Sequence, residues 1–600
     1  MAEKRIPKRS EVPAEYTWKL EDLFETEEQW LERFEKLKDV PSRLTEFQGR
    51  IGESAEVLFS YLKLQDEVSL LLEPLFTYAF CKKDEDTANN HYQDLVGKAM
   101  GTYVAIDSAR SFAVPEIMAI DDAAIDKYFE EKPELKEYRR VIDDIRRRKA
   151  HVLSPEAERV LALSGELAAV PESVGSVLRS AEMKFPDVID AEGIAHQMTE
   201  DNLPFLLENS DVNFRKQAFD LYYEKFSELK NTLAAILDGQ FKGLVFNARA
   251  RNYSSTLEAS LDDNEVPTEV YHNLISAVHD NLDKMYHYVR LRKKMMGLEE
   301  LHMYDVYAPI VKDVAVEVPF DKAKDTVLKA LAVLGEDYTD LLNEGFENRW
   351  IDVYPNEGKT GGAYSTGSGR PHPYVLLNQK DNLDSMFTLA HEMGHALHSY
   401  HSTKNQPVCT SDYVIFVAEV ASTCNEILLM KYLLKNTEDK KQRAYLINHF
   451  LDSFKGTVYR QTMFAEFELM LGQMAENGEA LTADALNEKY YELNKLYFGP
   501  DMISDDWIAY EWARIPHFFY NYYVFQYATG FSAAVAIANR ILEEGETAVK
   551  DYKRFLSSGS SMDPISLLKL AGVDMSTPDP INSALSLFGE LVDELENLAE

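Results

Sequence analysis

The pattern of apolar and polar positions along the chain predicts a mostly helical protein. Long amphipathic stretches, with apolar residues three and four positions apart, fill residues 20–165 and 205–245. A hairpin with strands at 184–188 and 194–198 is predicted between them. No repeat, low-complexity run or Pro/Ser-rich linker divides the 600 residues. The pattern therefore predicts one continuous helical body, with a lobe boundary near residue 200.

One predicted helix carries two histidines four residues apart. An apolar periodicity over 383–397 includes His391 and His395, which lie on one helical face and can bind one metal ion. Glu392 is rotated away from them but stays close enough to hold a water on that metal. Gly394, a poor helix former, predicts close approach of another backbone or of a substrate. The motif predicts a zinc hydrolase; the alternative is a buried helix with two satisfied histidines.

Two further histidines are poor candidates for the third zinc ligand. His398 lies seven residues after His391, about 10.5 Å along the helix axis, so the two cannot both bind one ion at roughly 2.1 Å. His401 occupies the third histidine position of the metzincin pattern. That pattern needs a glycine at position 398 to turn the chain back toward the metal, and the residue there is a histidine. The ligand is therefore expected elsewhere.

An apolar helix predicted over 413–430 supplies a better candidate. It carries Glu419 and Glu426 seven residues apart on one stripe. A carboxylate on an apolar helix is costly unless a cation meets it, so Glu419 is predicted to be the third ligand. Glu426, two turns further on, is predicted to accept a hydrogen bond from a ligand imidazole. The alternative is that these are two ordinary ion-paired glutamates.

A glycine-rich segment precedes the histidine helix. Short apolar runs at 349–354 and 373–378 predict strands, and five glycines fall between positions 358 and 369. So many glycines suit either a mobile loop or an extended backbone that a ligand approaches closely. An extended peptide gains main-chain hydrogen bonds at such an edge whatever its sequence. The segment predicted to bind substrate is Gly361, Gly362, Ala363 and Tyr364.

Near the end of the chain, tyrosines recur along one predicted helical face. Pro516 is in position to start a helix, and Tyr520, Tyr523 and Tyr527 follow at i, i+3 and i+7. A tyrosine stripe is more often core or channel lining than catalytic. Peptide hydrolysis, however, needs a donor where the oxyanion develops, and a neutral phenol is suitable. His517, near the predicted helix N-terminus, is expected to stay neutral because of the helix dipole.

The chain resembles the oligoendopeptidase F branch of the thimet oligopeptidase-like zinc metallopeptidases. The resemblance rests on residues 389–398, 416–422 and 515–530, on the glycine-rich segment, and on Tyr16 to Phe24 near the start. It implies a mainly α fold, a helical ellipsoid of two lobes around a deep substrate channel, with a small β-sheet next to the zinc-binding helix. One Zn²⁺ per chain at the channel floor and activity on short peptides are implied with it.

The same resemblance assigns roles to the aromatic residues. The family's transition-state tyrosines lie three residues apart and match Tyr520 and Tyr523, of which Tyr523 is the first candidate for the oxyanion donor. His517 matches a histidine that donates to substrate. In the thimet branch a longer glycine-rich loop separates this histidine from the tyrosines, whereas here the segment is compact. With the boundary near residue 200 that the helical pattern predicts, 1–200 is expected to be an N-terminal helical lobe and 201–600 the catalytic zinc metallopeptidase domain that the resemblance implies.

Three functions are compatible with these patterns. The first is an endopeptidase in which Glu392 is the general base and Tyr523, with His517, stabilises the oxyanion. The second is a zinc carboxypeptidase on a similar helical channel, whose terminal-carboxylate partner would be Arg251, Arg370 or Arg514. The third is a non-catalytic peptide-binding protein with a structural zinc. Structural sites have no use for a base at position 392, which disfavours the third.

Composition limits the partners and the compartment. The formal net charge of −38 disfavours nucleic acid and anionic membranes as partners, and leaves the oligomeric state open. The cysteines number three (Cys81, Cys409 and Cys424) without motif spacing, and the start of the chain has no apolar secretion segment. We therefore expect a cytoplasmic protein, and we expect no 18-residue apolar run that spans a bilayer.

Overall fold

The computed structural model describes residues 5–311, 317–367 and 369–599. Helices contain most of these residues, which confirms the mainly α prediction. The α-helices are α1 Glu27–Leu37, α2 Val40–Thr45, α3 Ala55–Glu85, α4 Asn90–Arg110, α5 Ala113–Ala119, α6 Asp122–Glu131, α7 Arg139–Arg147, α8 Pro155–Ala168, α9 Val170–Val177, α10 Leu203–Leu207, α11 Val212–Glu228, α12 Lys230–Ala250, α13 Thr256–Leu261, α14 Thr268–His279, α15 Leu282–Met296, α16 Phe320–Leu331, α17 Glu336–Glu347, α18 Leu383–Asn405, α19 Ile415–Asn436, α20 Lys440–Phe454, α21 Arg460–Glu476, α22 Ala483–Phe498, α23 Phe525–Glu544, α24 Glu546–Leu556, α25 Pro564–Leu570 and α26 Asp579–Ala599.

The strands are short and form three small sheets. They are β1 Val188–Ile189, β2 Ala195–His196, β3 Leu301–His302, β4 Ile351–Asp352, β5 Tyr364–Thr366, β6 Tyr374–Leu376 and β7 Met502–Ile503. The antiparallel pair β1–β2 confirms the hairpin predicted between the two helical stretches. Strands β4 and β6 confirm the two strands predicted on either side of the glycine-rich segment.

The chain folds into two compact units, each made of three segments. Unit 1 contains Met1–Ala150, Ala315–Tyr432 and Ile537–Val573, and unit 2 contains the remaining segments, His151–Val314, Leu433–Ala536 and Asp574–Glu600. This grouping differs from the predicted consecutive segments 1–200 and 201–600. Two of the changes between units fall within α19 and within α23, so no polar linker marks them in the sequence.

In unit 1, a three-stranded sheet packs beside the helix that carries the two histidines. The strand order is β4-β6-β5; β4 pairs with β6 in parallel, and β5 pairs with β6 in the antiparallel direction with Tyr364 opposite Leu376. Strand β5 is thus an edge strand, and both β5 and β6 contact α18. Three buried residues of β6 (Tyr374, Val375 and Leu376) fill the space between the sheet and its neighbours.

In unit 2, a buried carboxyl group supports the segment that follows Phe519. Glu468 on α21 is fully buried, and its Oε1 accepts the backbone N–H of Tyr522 at 2.6 Å. Its Oε2 has no hydrogen-bond partner in the described chain. Burial raises the pKa of Glu468 to about 8, although the Tyr522 N–H acts in the opposite direction. The carboxyl group is therefore mostly protonated at neutral pH.

One helical stretch corrects the expectation that no segment is apolar enough to span a bilayer. Glu156–Glu182 contains an 18-residue window with a mean hydropathy of 1.2, and only 6% of that window is buried. The criterion is one of length and composition alone, and the stretch carries charges such as Glu166 and Glu172. Little of this stretch is buried within unit 2.

We predict that Glu468 makes the stability of the protein depend on pH in a defined window. Its folded pKa of about 8 lies above the unfolded value of 4.5, so the protonated form stabilises the folded state fully below pH 4.5. This contribution is lost as the pH rises through about 8. Relative to Glu468→Gln, the wild type is expected to lose up to about 1.4 kcal/mol of unfolding free energy per pH unit in this window.

Urea unfolding of both proteins between pH 5 and pH 9 measures this difference. The matched control is Glu479→Gln, which replaces an exposed glutamate in the same unit. The control curve should run parallel to the wild type at every pH. Parallel curves for Glu468→Gln and wild type would show that Glu468 is not protonated in the folded state.

Candidate metal centre

The helix α18 places both histidines of the motif on one face. Its N-cap is Asn382, whose side chain accepts the backbone N–H of Ser385 at 3.0 Å. Two turns into the helix, the Nε2 atoms of His391 and His395 lie 3.2 Å apart. Ligands at about 2.0–2.1 Å from a tetrahedral zinc ion are separated by roughly 3.3 Å. The two imidazoles therefore fit one ion.

A close helix contact brings the third ligand to this face. A Cβ atom on Gly394 would lie 2.5 Å from the Cα of Ser422 and 2.9 Å from the carbonyl oxygen of Ala421. Only glycine permits this approach of α19. The sequence predicted that another backbone or a substrate comes close to Gly394, and the structure shows a close backbone. The side-chain amide of Asn425 also donates to the carbonyl oxygen of Ala390 at 3.1 Å. These contacts fix α19 against α18.

Glu419 completes a triangle of ligand atoms. Its Oε2 lies 3.4 Å from Nε2 of His391 and 3.5 Å from Nε2 of His395. These three residues form the group found in the described part of the chain that could hold a metal ion. Burial favours the neutral carboxyl, but contacts with the two histidines outweigh it and lower the pKa of Glu419. An ionised carboxylate beside two imidazoles has the chemistry of a zinc site with one open position.

Glu426 contacts the other side of the first histidine, as predicted. Its Oε1 lies 2.6 Å from Nδ1 of His391. This contact orients the ring and leaves Nε2 facing the other ligands. Burial acts to lower the pKa of His391, but contacts with Glu419 and Glu426 raise it to about 10.

Glu392 has the environment of a general base. It is 6% exposed, and its Oε2 has no hydrogen-bond partner in the described chain. Burial raises the pKa of Glu392, while the nearby charges of His391 and His395 act in the opposite direction. A carboxylate whose proton affinity is increased, and which retains an unused oxygen, is suited to accept a proton from water.

The two histidines rejected as ligands have structural contacts instead. The ring of His398 is buried and stacks on Tyr413, with the ring centroids 3.8 Å apart. Burial lowers the pKa of His398 to about 3, so it is neutral. His401 stacks on Tyr338 at 6.3 Å. Neither belongs to the group of ligand atoms.

The glycine-rich segment presents open backbone next to β5. A Cβ atom on Gly361 or Gly362 would meet no atom within 4 Å, and Gly362 has a φ of +81°. The side-chain amide of Asn378 donates to the carbonyl oxygens of Thr360 and Gly362 at 2.9 and 2.8 Å. These hydrogen bonds tie the segment to the residues that follow β6, while the space around Gly361 and Gly362 stays open.

A buried carboxylate fixes the other end of this segment. Asp84 on α3 accepts hydrogen bonds from the hydroxyls of Thr360 and Tyr364, both at 2.7 Å. It lies nearly three hundred positions away along the chain, so sequence patterns around the glycines give no sign of it. Ala363 lies between these two anchored positions and lines, with Gly362, a cavity next to the start of α18.

The predicted single helix through the tyrosines is wrong. A four-residue 3₁₀ helix, Pro516–Phe519, ends before Tyr520, and α23 begins only at Phe525. Between them Asn521 and Tyr522 have φ angles of +53° and +60°. Left-handed residues of this kind cannot continue a helix, and helical periodicity in the sequence does not reveal them.

The aromatic rings nevertheless come together in unit 2. The ring centroid of His517 lies 5.4 Å from that of Tyr520, 6.4 Å from that of Tyr523 and 6.0 Å from that of Tyr527. Tyr520 is 45% exposed, which leaves its hydroxyl accessible. Burial lowers the pKa of His517. Burial, rather than the predicted helix dipole, therefore favours the neutral form of this histidine.

Three residues that hold this cluster were not recognised in the sequence. Glu468 accepts the N–H of Tyr522, and the hydroxyl of Tyr522 lies 2.8 Å from that of Thr256. Gln240 donates to the Phe519 carbonyl at 3.2 Å and to the Asn521 side chain at 2.9 Å. These contacts fix the two left-handed residues.

A glycine one turn after Glu468 makes room for the buried tyrosine. A Cβ atom on Gly472 would lie 1.8 Å from the Tyr522 hydroxyl oxygen. A glycine inside a helix was the sequence feature that could have indicated this close contact.

Two of the three arginines considered for binding a terminal carboxylate are already paired. Arg251 contacts Glu158 through two hydrogen bonds, at 2.9 and 3.0 Å. Arg514 donates to Glu511 at 2.7 Å. A carboxypeptidase would have to break these pairs or use Arg370, which weakens that alternative.

Comparisons with known proteins agree with this site. The model of "Peptidase family M3" matches residues 205–587, and a model described as "Oligopeptidase F" matches residues 116–185. The chain is 47% identical over 594 residues to oligopeptidase PepF of Bacillus subtilis (strain 168), covering 99% of this chain and 89% of that protein. It is 38% identical to group B oligopeptidase PepB of Streptococcus agalactiae serotype III (strain NEM316), covering 98% of each.

A solved structure shares both sequence and fold. The crystal structure of oligoendopeptidase-F from Enterococcus faecium superposes with a TM-score of 0.75 at 36% identity, covering 95% of this chain and 99% of that chain. Together with the family match over more than half of the sequence, this settles the relationship. The chain belongs to peptidase family M3 and is a metalloendopeptidase.

Proposed function

We propose that this protein is a zinc-dependent endopeptidase that hydrolyses internal bonds of short oligopeptides. The observation that carries the proposal is the triangle of His391, His395 and Glu419 with the buried Glu392 on the same helix. The names of the relatives, oligopeptidases and an oligoendopeptidase, support peptides as the substrate class. The open space around Gly361 and Gly362 supports recognition of a peptide main chain.

Each residue at the metal centre has a defined task. Zinc held by the three ligands would lower the pKa of a water molecule toward neutrality and polarise the scissile carbonyl. Glu392 accepts the proton of the attacking water and then delivers it to the leaving amine nitrogen. Glu426 keeps the His391 ring in position through the 2.6 Å contact with Nδ1.

The aromatic cluster is proposed to supply the oxyanion donors. The hydroxyl of Tyr523 donates to the developing oxyanion, and Tyr520 and the neutral His517 donate to the substrate. The positive φ of Asn521 and Tyr522 and the Glu468 contact hold these side chains in place before substrate arrives. A rigid donor loses no orientation freedom when the reaction occurs, which is how such donors lower a barrier.

We predict that Glu392→Gln removes catalysis but keeps the metal. Glutamine has the shape of glutamate but cannot take the proton, so kcat should fall about 10²- to 10⁴-fold while zinc content stays at one per chain. Peptide cleavage followed by mass spectrometry, with metal analysis of both proteins, measures this. The control is Glu347→Gln, an exposed glutamate of the same unit, which should leave kcat unchanged.

The fragments produced by the wild type identify the reaction. Cuts at internal bonds are expected. Removal of C-terminal residues alone would instead indicate a carboxypeptidase, and full activity in Glu392→Gln would exclude Glu392 as the base.

We predict that Tyr523→Phe lowers kcat more than KM. Loss of one oxyanion donor costs about 10²- to 10³-fold in kcat, because the hydrogen bond forms only in the transition state. Tyr520→Phe should have a smaller effect and act mainly on KM. Steady-state kinetics on one peptide decide this, with Tyr510→Phe as a control in the same unit. Equal kinetics for wild type and Tyr523→Phe would remove Tyr523 from the mechanism.

We predict that Glu426→Gln weakens metal binding. The carboxylate at Nδ1 makes His391 a stronger ligand, and loss of such a partner typically costs about 10- to 100-fold in metal affinity. Competition with a chelator measures the affinity of each protein, with Glu347→Gln again as the control. An unchanged affinity would mean that Glu426 is an ordinary ion-pair partner, which is the alternative stated for it above.

A further inference from the structure

Four charged side chains with little solvent exposure form a cluster at the start of the glycine-rich segment in unit 1. The ammonium of Lys359 lies 2.7 Å from Oδ1 of Asp352, the last residue of β4, and both side chains are buried. Arg9, near the start of the chain, donates from Nη1 to the same Oδ1 at 2.9 Å. Its Nη2 lies 3.1 Å from Oε1 of Glu85 on α3. We call these four residues the buried charge cluster.

Lys359 uses all of its side-chain donors within the protein. Besides the Asp352 carboxylate, its ammonium donates to the backbone carbonyl oxygens of Asp352 at 3.2 Å and of Tyr354 at 2.8 Å. An ammonium has three N–H groups, so each of them has an acceptor. These contacts tie the residue that directly precedes Thr360 to the end of β4. The chain therefore enters the glycine-rich segment from a fixed point.

Backbone hydrogen bonds fix the N-terminal segment that carries Arg9. The N–H of Val353 donates to the carbonyl oxygen of Tyr16 at 2.9 Å, and the N–H of Glu357 donates to that of Pro7 at 2.8 Å. The N-terminal segment thus runs in the opposite direction to β4 and to the residues that follow it. Arg9 lies between these two points of attachment, so its guanidinium reaches the cluster from a defined backbone position.

The cluster supports one end of the segment from Gly361 to Tyr364. The other end is tied to α3, because the Tyr364 hydroxyl donates to Asp84 at 2.7 Å. Between the two ends, a Cβ atom on Gly361 or Gly362 would meet no atom within 4 Å, so side-chain packing does not place these residues. Their position depends on the residues that flank them. Strand β5, which begins at Tyr364, contacts α18, the helix of the metal centre in the same unit.

We propose that Lys359 and Arg9 are positioning residues, which hold the backbone from Gly361 to Tyr364 in the conformation that pairs with a peptide main chain. Both act through Asp352, and neither touches the substrate. The proposal rests on the function proposed above, because it takes this segment as a place where peptide binds.

Stability alone is a poor reason for such a cluster. Charges lose favourable hydration when they are buried, and replacement of a buried ion pair by apolar residues is often neutral or stabilising. A cluster that only stabilises the fold is expected to affect all substrates equally. A cluster that positions the segment is expected to affect those contacts that a peptide main chain makes with it. The two roles therefore predict different results.

The first test compares the kinetics of Lys359→Met with those of the wild type. Methionine is of similar length but donates no hydrogen bond. KM for a short peptide is expected to rise about tenfold while kcat stays within about twofold, because a less ordered edge binds substrate and transition state equally less well. The matched control is Lys127→Met, which breaks an exposed ion pair with Glu131 in the same unit and should leave KM unchanged. A folded Lys359→Met protein with the KM of the wild type would overturn the proposal.

Peptides with one N-methylated amide show whether the effect passes through the main chain. In a series of one peptide, each member is methylated at a different amide away from the scissile bond, and the wild type identifies the amide whose methylation raises KM. On that peptide Lys359→Met should cause no further rise, because the contact that Lys359 supports is already absent. An equal rise on the methylated and unmodified peptides would assign the cluster to the fold alone. A wild type that is insensitive to every methylation would also contradict the proposal.

Arg9→Gln tests the cluster from its other end. The Arg9 side chain is 21% exposed, whereas that of Lys359 is buried, so its replacement disturbs the packing less. KM should rise in the same direction, with kcat and the affinity for zinc unchanged. Where circular dichroism and urea unfolding show that Lys359→Met does not fold, Arg9→Gln decides, and a KM equal to that of the wild type would exclude the positioning role.

A binding measurement keeps this proposal distinguishable from the proposed function. A fluorescent peptide is titrated into Glu392→Gln protein, with and without Lys359→Met. Binding that is about tenfold weaker with the second substitution supports the positioning role even where the wild type cleaves no peptide. Equal binding contradicts it even where the wild type cleaves peptides as proposed.

Discussion

The site in unit 1 depends on the close approach of two helices at one glycine. Gly394 lies between the two histidine ligands, and its missing side chain lets the backbone of α19 come within contact of α18 at Ser422. Any side chain there would separate the helices and move Glu419 away from the imidazoles. Metal binding, the orientation of His391 by Glu426 and the burial of Glu392 all require that distance. The packing of α18 on α19 and the geometry of the metal centre therefore depend on the same residue, Gly394.

The two functional clusters are built in different ways. The metal centre uses regular helices, and its side chains project from successive turns of α18 and α19. The aromatic cluster uses an irregular segment with two left-handed residues, whose conformation is maintained by buried contacts from α12, α13 and α21. Regular helices set the distances between the three possible ligands, whereas the positions of the aromatic rings depend on contacts with residues far away in the chain.

The sequence predicted the helices and strands that local periodicity determines. The helix at His391, the apolar helix with Glu419 and the strands around the glycines follow from spacing and composition, and the structure contains them. The shape of the chain at Tyr522 could not be predicted, because contacts with distant residues override helical spacing there. The grouping into units was equally hidden, since two of the changes between units fall inside the helices α19 and α23. Contacts between residues far apart in the chain, unlike helices and strands, cannot be predicted from the spacing of residues in one sequence.

The interleaving of the two units has a consequence for how the protein is made. Unit 1 needs the segment Ile537–Val573, and unit 2 needs the residues that follow it. The helix α3 packs mainly on α1, α4 and α6 of the first segment of unit 1, whereas each unit as a whole is completed only by residues near the end of the chain. The first segment of unit 1 can therefore begin to pack during synthesis, whereas each unit is completed only when its last segment has been made.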